Sequence, residues 1–193
     1  RLAIFSPFDG MRLCEVEGAR SRLLDAFATR GFAVDLIAAR GLLYVANAGD
    51  GVRIGGLDAN GSVNWVGHIE TIEARDVALS GTTLVIADGA GGIKIADVSD
   101  PRRAAIVGRH ASPYFMSAVV VQGARAYCAG GLGGVEVVDC AAPKHPKLVW
   151  RADFSEVRGI WTDRRYLYVA DGNEGFRIFS IEGAKPASIS VFN

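Results

Sequence analysis

Apolar residues along this chain fall in short runs bounded by glycine, aspartate and proline, and several runs alternate with polar positions. That pattern predicts β-strands joined by tight turns. Between residues 76 and 109 it predicts strands at Asp76–Ser80, Leu84–Ala87, Ile93–Val98 and Ala105–Arg109. Gly81, the glycine-rich stretch 88–92 and a loop holding Asp100-Pro101 separate them. Ile93 and Ile95 flank Lys94, the period of a half-buried strand. No stretch carries a helical period.

The same pattern recurs along the chain. The segments FSPFDGMRL, ANAGDGVRI, ADGAGGIKI, AGGLGGVEV and ADGNEGFRI place pivotal glycines at 10, 51, 92, 134 and 175, spaced by 41, 41, 42 and 41. A repeat of four strands in about 41 residues fits a β-propeller blade, whose repeats run ~40–50 residues. The expected fold is therefore all-β, one β-propeller domain or a fragment of a larger propeller. Its repeats are expected at about 1–30 (partial), 31–73, 74–115, 116–155 and 156–193. The first copy starts at its second strand, so four full blades and three strands of a fifth are expected, the innermost strand of the first being missing. The chain opens on Arg1 without a signal-peptide pattern, and upstream sequence is expected.

The stretch RDVALSGTTLVIADGAGGIKIADVSDP, residues 75–101, closely resembles the LVIVD-repeat family of bacterial and archaeal propeller-like proteins. Matching pieces recur at residues 42–54, 133–143 and 166–178. The DVSDP corner is lost at 56–60 and again at 180–184. The resemblance implies a binding or scaffolding role outside the cytoplasm, secreted, periplasmic or at the cell surface, and no particular reaction.

Composition narrows the partner class. The chain of 193 residues has 50% hydrophobic residues and balances 21 basic against 21 acidic side chains. Zero net charge argues against nucleic acid or an anionic membrane as partner. No apolar run approaches the ~20 residues that span a bilayer. Three cysteines, Cys14, Cys128 and Cys140, stand at apolar strand positions and read as reduced core thiols. A hairpin turning near Gly131 sets Cys128 opposite about Val135, out of reach of Cys140.

Candidate chemistry is sparse. His68, His110 and His145 fall at different repeat offsets, which is poor geometry for a shared metal. The glycine turns precede strands, not helices, so they are hairpins and not phosphate cradles. Asn47, Asp88 and Asp171 are expected to bond turn N–H groups. Calcium takes oxygen ligands of that kind, but Ser6 and Gly130 hold the same place elsewhere, so no cofactor is expected. One strand position carries Arg12, Arg53, Lys94, Glu136 and Arg177, either a solvated edge or a basic ring suited to an acidic partner.

Topology points to the channel mouth, where propeller loops converge. Asp35 and Asp76 are repeat equivalents there, with Arg75 and Arg158 beside the inner strands. Two carboxylates on adjacent blades either cap loops or share a cation. Tyr114 and Phe115, in the loop SPYFMS, are candidate partner anchors. The expectation is a non-catalytic module that binds another protein or the subunits of a larger assembly. The alternative is a propeller-type hydrolase or lyase using a divalent cation at the channel mouth. A large exposed apolar face would favour membership of an assembly.

Overall fold

The computed structural model describes residues 2–6, 10–17, 20–27, 32–58 and 62–192. The first turn at residues 7–9, and residues 59 and 60 of the lost corner, lie outside them. Among the described residues, nineteen strands form five antiparallel sheets in chain order. Blade 1 has three strands, β1 (Leu2–Ser6), β2 (Gly10–Glu17) and β3 (Arg20–Phe27). Blade 2 holds β4 (Asp35–Ala39), β5 (Leu42–Ala46), β6 (Val52–Leu57) and β7 (Val63–Ile69). Blade 3 holds β8 (Asp76–Ser80), β9 (Thr83–Ala87), β10 (Ile93–Asp97) and β11 (Ala105–His110). Blade 4 holds β12 (Ala118–Gln122), β13 (Arg125–Ala129), β14 (Gly134–Asp139) and β15 (Lys147–Asp153). Blade 5 holds β16 (Val157–Thr162), β17 (Tyr166–Asp171), β18 (Phe176–Ser180) and β19 (Ala187–Phe192). No α-helix occurs among the described residues. The four-strand reading of each copy therefore holds, with strand ends within a residue or so.

The pivotal glycines are fixed by backbone geometry. Gly51, Gly92, Gly134 and Gly175 have φ of 76°, 74°, 144° and 88°, a region that favours glycine. A Cβ on Gly51, Gly92 or Gly134 would also run into the carbonyl oxygen of Ile69, His110 or Ala152. Each such turn thus brings the third strand close under the fourth.

Every blade carries the same irregularity between its last two strands. The register slips after Leu13, Ile54, Ile95, Val137 and Ile178, leaving Leu24, Val66, Val107, Val149 and Ile189 as the extra residue. Such bulges bend and twist a sheet locally. All five extra residues are branched and apolar.

The core lies in the seams between blades, because one small sheet cannot bury both faces alone. Tyr44, Val52 and Ile54 of blade 2 pack on Val77, Leu84 and Ile86 of blade 3. Val85, Ile93 and Ile95 of blade 3 pack on Val119, Ala126 and Cys128 of blade 4. Tyr127, Val135 and Val137 of blade 4 pack on Leu167, Val169 and Phe179 of blade 5. The inner strands β4, β8, β12 and β16 stand side by side in that order.

The DVSDP corner is a plug for the preceding blade. Asp100 caps a single 3-10 turn, Pro101–Arg103, accepting from the Arg102 N–H at 3.0 Å. The Pro101 carbonyl sits where a side chain on Gly67 of β7 would be, and the Pro143 carbonyl does the same at Gly108 of β11. Gly67 pairs Ile54 and Gly108 pairs Ile95, so they are repeat equivalents. Trp150 holds that place in blade 4, and blade 5 has lost its corner there. The Trp150 ring instead meets Phe179 edge-on at 5.6 Å.

Candidate functional site

The two acids of the channel wall join blades. Asp35, at the start of β4, accepts from the Val77 N–H of β8 at 3.3 Å. Asp76, its equivalent in blade 3, accepts from the Val119 N–H of β12 at 2.7 Å and from Val77 N–H at 2.7 Å. Each carboxylate thus reaches the innermost strand of the following blade, not the loop before its own strand as a simple cap would. Burial, a hydrogen bond with Asp35 and the charge of Asp35 push Asp76 up to about 8. Near neutrality Asp76 therefore retains its proton. Both acids line a recess of about 410 Å³ inside the arc, with Trp161 and Thr162 on its far wall. Ala118 and Gly159 occupy the equivalent places in blades 4 and 5, so the latch stops there.

A second set of polar residues holds the connections between blades. Asp88 is fully buried and accepts from the Glu73 N–H at 2.6 Å and the Ile72 N–H at 3.2 Å. Asp171 accepts from Ser155 Oγ at 3.1 Å and the Glu156 N–H at 3.2 Å. These side chains therefore clamp the linker entering their own blade, and the expected bonds to turn N–H groups are made by backbone carbonyls instead. Asn47 differs, donating to Asp50 Oδ2 at 3.1 Å.

The expected basic ring is largely drawn into ion pairs within its own blades. Arg53 pairs with Asp50 at 2.8 Å, Lys94 with Asp88 at 3.6 Å and Arg177 with Asp171 at 2.8 Å. Arg12 is exposed on β2, opposite Ala26 and Ile4 in register.

Blade 4 reverses this charge pattern. Glu136 is fully buried where the other blades carry a cation, and Gly130 stands where blades 2, 3 and 5 carry Asn or Asp. Arg151 Nε donates to Glu136 at 2.7 Å, and His110 Nε2 lies 3.1 Å from its other oxygen. Burial raises this carboxyl, but bonds from His110, Arg151 and Ser112 outweigh it and hold it below the usual range. The Tyr114 ring fills the space left by Gly130 and Gly133. Its hydroxyl donates to Asp153, which pushes the phenol above its ordinary range, and Arg151 lies 5.5 Å from its ring centre. Tyr114 is thus a half-buried wedge, while its neighbour Phe115 is 45% exposed.

Sequence reasoning gave Glu136 only as one member of a strand position that is otherwise basic. The paired loss of Asp at 130 and gain of Glu at 136 was the signal for its burial.

The channel-mouth loops bring three equivalent positions to one rim. Glu73, Phe115 and Glu156 stand at the same offset in blades 3, 4 and 5, as do Arg75, Ser117 and Arg158. Arg75 lies 3.5 Å from Glu73 and 6.0 Å from the Phe115 ring centre. Arg158 pairs with Glu156 at 2.9 Å. A half-exposed aromatic therefore sits between two ion pairs. Among the described residues, no group of three or more His, Cys, Asp or Glu side chains is arranged to hold a metal ion. Cys128 and Cys140 are buried free thiols; Cys128 stands opposite Glu136 on β14, one place from the expected Val135.

The model of the LVIVD repeat matches residues 73–111, 116–153 and 156–190, one match to each of blades 3, 4 and 5 and more than half of the chain in all. The chain belongs to the LVIVD repeat family. No curated protein matches it. Two solved structures share the fold of this LVIVD-repeat chain with a TM-score of 0.74 each. The computationally designed Ika8 protein is 11% identical over 95% of this chain and 57% of its own. A functionally unknown protein from Desulfotomaculum acetoxidans DSM 771 is 14% identical over 94% of this chain and 64% of its own. The LVIVD-repeat chain thus spans less than two thirds of either. No helix among the described residues is long and apolar enough to cross a membrane.

Proposed function

We propose that this LVIVD-repeat chain is a non-catalytic protein-interaction module, a subunit of a larger assembly working outside the cytoplasm. The rim of Glu73, Arg75, Phe115, Glu156 and Arg158 is its contact surface. The observation that carries this reading is Phe115, 45% exposed and flanked by ion pairs from the neighbouring blades. An exposed aromatic anchor ringed by charges of both signs suits a polypeptide partner, with the ring supplying affinity and the charges orientation. The extracytoplasmic setting rests on the family resemblance.

A second reading, a hydrolase or lyase using a divalent cation, draws on the proton that Asp76 retains next to Asp35 beside an open recess. Against it, both acids accept bonds from neighbouring backbone N–H groups.

The test is affinity isolation from the source cell with the wild-type chain and with Phe115→Ala/Arg158→Glu as baits, read by quantitative mass spectrometry. Partners recovered at least fivefold less by the variant support the rim. Equal recovery, or no stoichiometric partner, overturns it. A divalent ion retained by the wild type and lost in Asp76→Asn selects the second reading.

A further inference from the structure

Each full blade sets one residue of its third strand opposite one of its fourth, and blade 3 alone leaves the charge there unmatched. The register partners are Arg53 and His68 in blade 2, Lys94 and Arg109 in blade 3, Glu136 and Arg151 in blade 4, and Arg177 and Val191 in blade 5. Blade 4 pairs opposite charges directly, Arg151 Nε donating to Glu136 at 2.7 Å. Blade 2 uses Asp50, which pairs with Arg53 at 2.8 Å while His68 Nε2 meets the Asp50 carbonyl. Blade 5 has a single cation, and Asp171 takes it at 2.8 Å. Blade 3 sets two cations directly opposite one another, which destabilises a sheet. Its buried Asp88 lies 3.6 Å from Lys94 and also holds the Ile72 and Glu73 N–H groups. Gly91 stands where blade 2 carries Asp50. Among the described residues, Arg109 is left without an ion-pair partner.

A recess of about 280 Å³ opens at this unmatched pair. Lys94 of β10 and Ile106 and Arg109 of β11 line it, and Glu70, Thr71 and Ile72 of the linker into blade 3 complete its wall. Thr71 Oγ1 is buried with no hydrogen-bond partner, a donor that the protein itself leaves unused. Ile72 is exposed and Ile106 half-buried, so the recess also offers apolar surface. Glu70 is the one acid on the wall, and it forms no ion pair with Arg109.

We propose that this recess binds the carboxylate of a short aliphatic acid, with Arg109 as its ion-pair partner and Ile72 and Ile106 against its methylene stem. The guanidinium fork matches the two oxygens of a carboxylate. Charge selects the ligand class. Asp88 offsets Lys94, so one positive charge stays unmatched and a monoanion balances it. Glu70 on the wall repels a second negative charge, so a phosphate dianion fits poorly. The acid is either a free small molecule or a glutamate side chain presented by a polypeptide. The site is separate from the rim of Glu73, Arg75, Phe115, Glu156 and Arg158, and neither reading depends on the other.

The experiment is a proton–nitrogen NMR titration of the whole chain at constant ionic strength, with three probes. They are butyrate, a blocked Ala-Glu-Ala tripeptide and inorganic phosphate. Butyrate and the tripeptide are expected to shift the backbone resonances of Ile72 and Ile106 with a Kd on the order of millimolar. Arg109→Gln is expected to weaken both at least tenfold, and Arg109 is exposed and unpaired, so the variant keeps its fold. Glu70→Gln is expected to tighten both about twofold, because it removes the opposing charge. Tighter binding of the tripeptide than of butyrate makes a polypeptide side chain the source of the acid, and the reverse order makes it a free small molecule. The proposal is overturned by the absence of a saturable shift at Ile72 up to about 50 mM probe, by less than threefold weakening in Arg109→Gln, or by phosphate binding more tightly than butyrate.

Discussion

The seam between blades 3 and 4 and the seam between blades 4 and 5 solve one problem with different chemistry. In the first, Gly108 admits the Pro143 carbonyl, Asp76 accepts from Val119 N–H, and Ser80 Oγ donates to the Gly123 carbonyl at 2.8 Å. In the second, Trp150 and Phe154 meet Phe179 at 5.6 and 6.0 Å, and the acid of the inner strand is replaced by Ala118. The first seam is directional and depends on backbone shape. The second adds aromatic area to two bonds at other places, from Thr162 Oγ1 to Gln122 Oε1 at 3.1 Å and from Arg125 to the Gly183 carbonyl at 2.8 Å. Identical topology therefore does not require identical bonding, provided each loss on one side of a seam is matched on the other.

The largest effect that separates the two seams is a response to pH. Asp76 has a folded value raised to about 8, against ~3.9 in an unfolded chain. The folded state then binds more protons than the unfolded state between those limits. This group's contribution is thus most favourable below ~4, declines as pH rises and levels off above about 8. The difference of about four pH units between the two values, at ~1.4 kcal/mol each, sets an upper bound on the decline of about 5–6 kcal/mol, and Asp76→Asn should flatten it. Urea melts of both proteins from pH 4 to 9 measure this, and parallel curves would mean that Asp76 is ionised throughout.

Next in size is Gly108→Val, which drives a side chain into the Pro143 carbonyl and should cost about 3 kcal/mol. Valine is already the extra residue of the bulge at Val107, so strand propensity is not the cause. Trp150→Ala should cost about 2 kcal/mol, because the ring is only half buried. Chemical denaturation of the two variants sharpens the contrast. Gly108→Val should loosen blades 3 and 4, seen as hydrogen exchange at Val119, and Trp150→Ala should loosen blade 5 first.

Most of the architecture was readable from the glycines at 51, 92, 134 and 175, because a left-handed turn under a close fourth strand admits little else. The site was half readable. Asp35 and Asp76 stood out as equivalents, but their partners, Val77 and Val119, lie 42 and 43 residues further on. That distance is one repeat period, and a bond between blades leaves no local mark. The clamps made by Asp88 and Asp171 were missed for the same reason, as their linker partners precede them by 15 or 16 residues. Glu136 was the least legible. Its burial requires His110 from one blade and Arg151 from another strand, a convergence that exists only in three dimensions.

The glycine socket and the proline plug lie in consecutive blades, so the heritable unit of this fold is not the blade. A duplication that copied residues 74–115 alone, inserted after blade 4, would set the Pro101 corner against Trp150 instead of Gly67. A copy running from the middle of one blade to the middle of the next would carry each lock with its key. Tandem growth of such a chain should therefore leave its sequence breakpoints inside sheets, and the visible boundaries between blades are where a viable breakpoint is least expected.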